Sequence, residues 1–124
     1  MEELIIYQKV YDFMYYFFPV VERFPKSEKF VLCAQVKNGV WEILKLIIRA
    51  NKSRNKTPLL FEIDVLLVQV KTMVKFAHQR RYLSTQKWEH SGKLLAEIGR
   101  LLGGWLKSCQ RGSSLGGESP FSEG

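Results

Sequence analysis

Eight basic side chains between positions 49 and 81 carry the chemistry of this chain. They are Arg49, Lys52, Arg54, Lys56, Lys71, Lys75, Arg80 and Arg81. Against them stand only Glu62 and Asp64, so this stretch holds +6 of the formal net charge of +7. Clustered ammonium and guanidinium groups neutralise phosphates and release counterions, which gives salt-sensitive binding with little sequence preference. The same charges could also serve only to solvate a surface. Arg80 and Arg81 have a further competing role, because cations near a helix C-terminus favour the helix dipole.

Catalytic constellations are missing from the pattern. Glu89, His90 and Ser91 offer the residue types of a triad, but sequence neighbours on a helix point in different directions. Glu62 and Asp64 are two apart and do not face each other. His78 stands alone on a surface line with Asp64, Lys71 and Lys75. Cys33 and Cys109 form neither a metal quartet nor a disulfide framework. An enzyme is therefore the weakest reading, and neither metal nor cofactor is expected. Trp41, Trp88 and Trp105 read as core or interface anchors rather than platforms for bases.

The elements that must position these groups read as four helices. No segment alternates like a strand. The first helix should run from about Glu3 to Arg23. It is apolar on two sides: Leu4, Tyr7, Tyr11, Met14, Tyr15, Phe18 and Val21 on one, Ile6, Val10, Phe13, Phe17 and Val20 on the other. In a chain of 124 residues the second apolar side asks for another protomer. Pro19 should kink this helix. Ser27 is the expected cap of a second helix from Glu28 to about Ala50. Its apolar side includes Phe30, Cys33, Ile47 and Ile48, and its wet stripe runs Gln35, Asn38, Glu42, Lys45, Arg49, Lys52.

Thr57 should cap the third helix, with Pro58 in its first turn and Arg81 near its end. Its core stripe is Ile63, Leu66, Leu67, Val70, Val74 and Ala77. Ser84 or Thr85 should cap the fourth helix, which runs to about Ser108. That helix carries Gly92, Gly99, Gly103 and Gly104, although each interior glycine costs about 1 kcal/mol relative to alanine. At about 100° per residue, Gly92, Ala96, Gly99 and Gly103 share one face. Such a seam should let a neighbouring backbone approach closely. Glu89–Lys93 and Lys93–Glu97 are weak four-apart pairs. Arg100 could pair with Glu97 or reach a neighbouring protomer.

The expected architecture is all-α, an antiparallel up-down-up-down four-helix bundle over residues 1–108. A flexible Gly/Ser-rich tail over 109–124 would follow, with Phe121 undocked. Tyr11, Phe17, Phe18, Gly92, Gly99, Gly103 and Trp105 are the candidates for helix packing and oligomer contacts. In an antiparallel hairpin, Arg49 to Lys56 and Arg80–Arg81 fall at opposite ends, about 30 Å apart, so the bases should form a stripe along the bundle. The apolar run Phe13–Val21 is too short to span a bilayer and contains Pro19, so no membrane segment is expected. The acidic start MEELIIYQK lacks a signal peptide's basic segment, and the scarce thiols suit a cytoplasmic protein.

Three stretches carry a resemblance: FPKSEKFVL (Phe24–Leu32), EIDVLLVQVK (Glu62–Lys71) and WEHSGKLLAEIGRLLGGWLKS (Trp88–Ser108). Together they resemble the accessory proteins of diversity-generating retroelements, the Avd family, to which the ribosomal-RNA intervening-sequence proteins are related. The EIGRxLGGW stretch at Glu97–Trp105 is the most specific part, with Leu101 where Met is more usual. The resemblance covers about residues 1–108. It implies a homo-oligomer, a pentameric barrel of four-helix bundles with a positively charged surface. It also implies partnership with a reverse transcriptase and with template RNA and cDNA during mutagenic copying, in a non-catalytic role. The alternatives are an intervening-sequence-type protein of the same fold and a purely structural oligomerisation module.

Overall fold

A computed structural model describes residues 2–115, with side-chain surroundings described for residues 5–111. Four helices follow one another: α1 (Glu2–Val21), α2 (Leu32–Lys52), α3 (Thr57–Gln79) and α4 (Thr85–Leu115). Among the described residues there is no strand. Each helix packs against two others: α1 and α3 both lie against α2 and α4, so α1 and α3 sit across the diagonal. This is the all-α four-helix bundle that the apolar periodicity predicts.

One continuous core fills the bundle. Ile6, Val10, Phe13 and Phe17 of α1 are at most 1% exposed, and Phe13 stacks on Phe17 at 5.0 Å. Leu60, Ile63, Leu67, Val70, Val74 and Ala77 supply the α3 side, while Leu95, Ile98, Leu102 and Trp105 supply α4. Of the expected α3 stripe, only Leu66 is no more than half-buried. Cys33 is buried and donates its thiol to the Val21 carbonyl at 3.4 Å. Burial and the nearby Glu28 carboxylate push its thiol pKa up, which keeps it protonated and inert.

The two connections at one end of the bundle lock together. Phe24 and Leu83 are buried there. Phe24 packs on Tyr82 at 5.6 Å, and the Tyr82 hydroxyl donates to Glu28 at 2.8 Å. This contact explains a departure from expectation. Ser27 does not cap α2. The chain instead turns through a short 3-10 segment, Lys26–Glu28, and α2 starts at Leu32 with no side-chain cap. Glu28 is thereby placed to meet Tyr82. Phe30, expected on the apolar side of α2, lies in this turn and is exposed, as is Ile48.

Other helix ends shift less. Thr57 lies inside the first turn of α3, with Pro58 beside it, and no side chain caps that end. Ser84 does cap α4: its hydroxyl accepts from the Lys87 amide at 3.2 Å. The largest change is at the C-terminus. Helix α4 continues past Ser108 to Leu115, so the bundle does not end where Cys109 and the Gly/Ser composition suggest. A helix already anchored by a buried face extends at low cost, because propagation needs no new nucleus. Phe121 lies outside the described residues.

Helix α3 ends in a Schellman motif. The Tyr82 amide donates to the Ala77 carbonyl at 2.8 Å and the Arg81 amide to His78 at 2.9 Å. Arg81 itself has φ 63°, a left-handed position that glycine fills at lower cost.

Candidate nucleic-acid interface

The bundle sorts the eight basic residues singled out in the sequence into three regions along its length. Arg49, Lys52, Arg54 and Lys56 surround the α2–α3 connection. Lys71 and Lys75 lie on α3 and line the groove that α3 makes with α4. Arg80 and Arg81 follow α3 at the far end.

At the α2–α3 connection, one cation has an internal task. The Lys56 ammonium donates to the carbonyls of Ser53 (2.7 Å), Ala50 (2.9 Å) and Asn51 (3.3 Å). These are carbonyls of the last turn of α2 and its C-cap, where intrahelical donors run out; Ala50 also accepts the Ser53 amide at 3.1 Å. Three donors meet three acceptors, so Lys56 caps a helix and has no N–H left over for phosphate. Arg49, Lys52 and Arg54 remain exposed around it.

Arg80 is similarly engaged. Its Nε donates to the Tyr82 hydroxyl at 3.4 Å, and its guanidinium lies 5.8 Å from the Tyr82 ring centre. Arg81, which is exposed, lines a hollow of about 650 Å³ with His78, Ser84 and Thr85.

The α3/α4 groove is different. It is a trough of about 600 Å³ floored by Val74, Leu95, Gly92 and Ala96, with Trp88 at one end. Lys71 and Lys75 rise from one wall and Lys93 from the other, with Glu89 the sole carboxylate in the lining. All three lysines are exposed, and none joins an ion pair among the described residues. The His78 ring stacks on Trp88 at 4.2 Å with planes 1° apart, and its Nε2 lies 3.2 Å from the Thr85 hydroxyl. That pair joins the trough to the hollow around Arg81. A positive trough with an aromatic lining suits a phosphate backbone.

Sequence reasoning missed Lys93, which it assigned to pairs with Glu89 and Glu97. Neither pair forms. Glu97 takes Arg100 instead, through Arg100 Nε at 3.2 Å and a second guanidinium nitrogen. The Arg100 guanidinium holds the Glu97 carboxyl below the usual carboxylate range. The usable signal was antiparallel packing itself, which sets α4 opposite the Lys71–Lys75 line.

Of the small-residue seam, Gly92 and Ala96 line this groove, and the glycines make no tight contact within the protomer. A Cβ at Gly92, Gly103 or Gly104 would meet nothing within 4 Å, and at Gly99 only ordinary contact with Leu67 and the Lys71 ammonium at 3.5 Å. The tight approach between helices is elsewhere: a Cβ at Gly39 would sit 3.1 Å from Val70. Phe17 and Trp105 face the protomer's own core, so they pack helices and are not available to a second copy. Phe18 is half-buried against Trp41 at 6.4 Å, and Tyr11 is exposed.

The residues of the apparent triad disperse. His90 packs edge-on to Tyr16 at 4.8 Å, and the Ser91 hydroxyl is buried and donates to the Lys87 carbonyl at 2.7 Å. Among the described residues no group of His, Cys, Asp and Glu is placed to hold a metal. No helix there is long and apolar enough to cross a membrane.

Comparison with known families now decides the relationship. A family model described as bAvd-like matches residues 4–109, most of the chain. This chain belongs to the bAvd-like family. The match ends close to where the described side chains end, and it includes the whole α3/α4 groove. No curated protein matches. Among solved structures, this bAvd-like chain is similar to a protein of unknown function from the S23 ribosomal protein family of Bacteroides thetaiotaomicron VPI-5482. The two share 16% identity and a TM-score of 0.78, over 86% of this chain and 99% of the other. At that identity the likeness speaks for the four-helix fold alone.

Proposed function

We propose that this bAvd-like protein is a non-catalytic accessory subunit of a diversity-generating retroelement, acting in the cytoplasm. It would bind template RNA or cDNA and hold it against the element's reverse transcriptase during mutagenic copying. The observation that carries this reading is the convergence of Lys71, Lys75 and Lys93 on one trough with a single opposing carboxylate. Arg81 and the exposed bases at the α2–α3 connection extend the positive surface. Assembly into a homo-oligomer, fivefold on the resemblance, would repeat the trough around a ring. The exposed apolar side chains of α1 and α3 support assembly, since monomers rarely expose large apolar patches.

Two measurements test the reading. Labelled RNA should shift with this protein and lose affinity steeply with salt, and the cognate reverse transcriptase should co-purify at physiological salt. Absence of both would reject it. An intervening-sequence-type protein of the same fold is the competing reading, distinguished by whether the gene lies beside a reverse transcriptase or within a ribosomal RNA gene.

A further inference from the structure

The α3/α4 trough combines two chemistries. Its floor is apolar: Val74 and Leu95 come up from the core, and Gly92 and Ala96 lie exposed between the walls. The space at Gly92 is open, since a Cβ there would meet nothing within 4 Å among the described residues. The cations stand on the walls instead. Lys71, Lys75 and Lys93 are exposed, and the Lys71 ammonium lies 3.5 Å from where a Cβ of Gly99 would be. At one end stands Trp88, its half-buried indole already stacked on the His78 ring at 4.2 Å. That aromatic end is therefore fixed before anything binds.

Purely electrostatic binding of a phosphate backbone needs the lysines but not this floor. In a duplex the flat faces of the bases are stacked on one another, and the contacts along its flank go to phosphate and sugar. The apolar floor then gains nothing. An unpaired strand can turn its bases out and lay their faces on apolar or aromatic groups while its phosphates meet cations. The volume agrees: about 600 Å³ is the size of a pocket for a small organic molecule, with room for bases but not for a double helix. Among the described residues that line the trough there is no Asn, Gln or Arg to fork onto a base edge, and no hydroxyl to single out a ribose.

We infer that the trough takes single-stranded nucleic acid in preference to duplex. Unpaired bases lie on the floor of Val74, Gly92, Leu95 and Ala96 and end against Trp88, while the phosphates meet Lys71, Lys75 and Lys93. The inference rests on the nucleic-acid part of the proposed function and deepens it by naming the class of nucleic acid. RNA and DNA strands are held alike, because the lining offers no group that reads the sugar. The same trough then accepts a template RNA and the cDNA copied from it.

The test measures affinity at one fixed salt concentration for four probes: an unstructured RNA strand, the DNA strand of the same sequence, and the duplex each forms with its complement. Both strands should bind at least about tenfold tighter than either duplex, the effect of laying a base or two on such a surface. Gly92→Leu fills the floor without touching a charge and replaces glycine by a better helix former, so it should remove the preference. Ala96→Leu takes its place should that variant lose its helix by circular dichroism. If no probe binds, the proposed function fails and this inference with it, leaving the trough to an acidic amphipathic segment of a protein. If the duplexes bind as tightly as the strands, or the filled floor keeps the preference, the nucleic-acid reading stands and the single-strand assignment is overturned. It is overturned equally if the RNA and DNA strands differ from each other as much as strand from duplex.

Discussion

Two basic regions of this bundle look alike in sequence and behave differently in structure. Around the α2–α3 connection, Arg49, Lys52, Arg54 and Lys56 sit within eight residues. Yet Lys56 is bound to three backbone carbonyls, and the others stand exposed at one end of the bundle. In the α3/α4 groove only three lysines are present, but they converge from two walls on one concave floor. A concave site with low-dielectric walls focuses the field of its charges, whereas charges fully in solvent are screened. Charge counted along the chain therefore overstates the first region and understates the second.

The comparison is broken or sharpened most strongly by charge reversal. Lys71→Glu, Lys75→Glu and Lys93→Glu together should lower RNA affinity by about two orders of magnitude, and flatten its salt dependence by about 2 in log–log slope. Reversing Arg49, Lys52 and Arg54 should cost less than about tenfold, on the same reasoning. Equal losses in a filter-binding salt series would erase the distinction between groove and end.

Lys56→Ala should move stability instead of binding. Removing the ammonium uncaps the end of α2 and should cost about 1–2 kcal/mol in urea unfolding. A variant with unchanged stability and much weaker RNA binding would return Lys56 to the interface. Arg81→Gly separates charge from backbone at the far end. It relieves a left-handed non-glycine residue and should raise stability by up to about 1 kcal/mol. RNA affinity should fall only a few-fold, by the loss of one cation. A drop in stability would mean that the Arg81 side chain holds the turn.

The smallest effect is on protonation. In the folded protein the Glu97 carboxyl titrates below its ordinary range because Arg100 donates to it. Its folded value lies below its unfolded value. The pair's contribution is thus present above the unfolded value and disappears as pH falls through the folded one. Arg100→Ala should return Glu97 to the ordinary range in an NMR titration. Lys93→Ala should not, since Lys93 faces the groove. A shift of Glu97 in Lys93→Ala would restore the four-apart pair and weaken the groove assignment.

How legible was the site? Lys71 and Lys75 were visible as a one-turn pair on a helix. Lys93 was hidden, because local spacing offered it two carboxylates and offered Glu97 a second partner in Arg100, and the structure shows that Arg100 is the one that pairs. Nothing local showed that Gly92 and Ala96 of the glycine seam would line an open trough. Gly39 gave no warning, since a single glycine in a helix signals close approach only when the facing side chain, here Val70, is known. The outer stripe of α3 was overlooked for a similar reason: Phe61, Val65 and Val68 read as ordinary apolar content until the inner stripe was assigned to the core.

The sequence by itself determined the four helices, their apolar faces, a cap at Ser84 or Thr85 and the family pattern in α4. These follow from periodicity and local backbone chemistry, which act over a few residues. Only the tertiary structure decided which cations converge on one groove, which connections lock together, and which apolar faces stand outside the core. Those outcomes depend on distances between side chains far apart in the chain, such as Glu28 to Tyr82 and Lys75 to Lys93. Such distances are set by how the helices pack, and no local spacing encodes them.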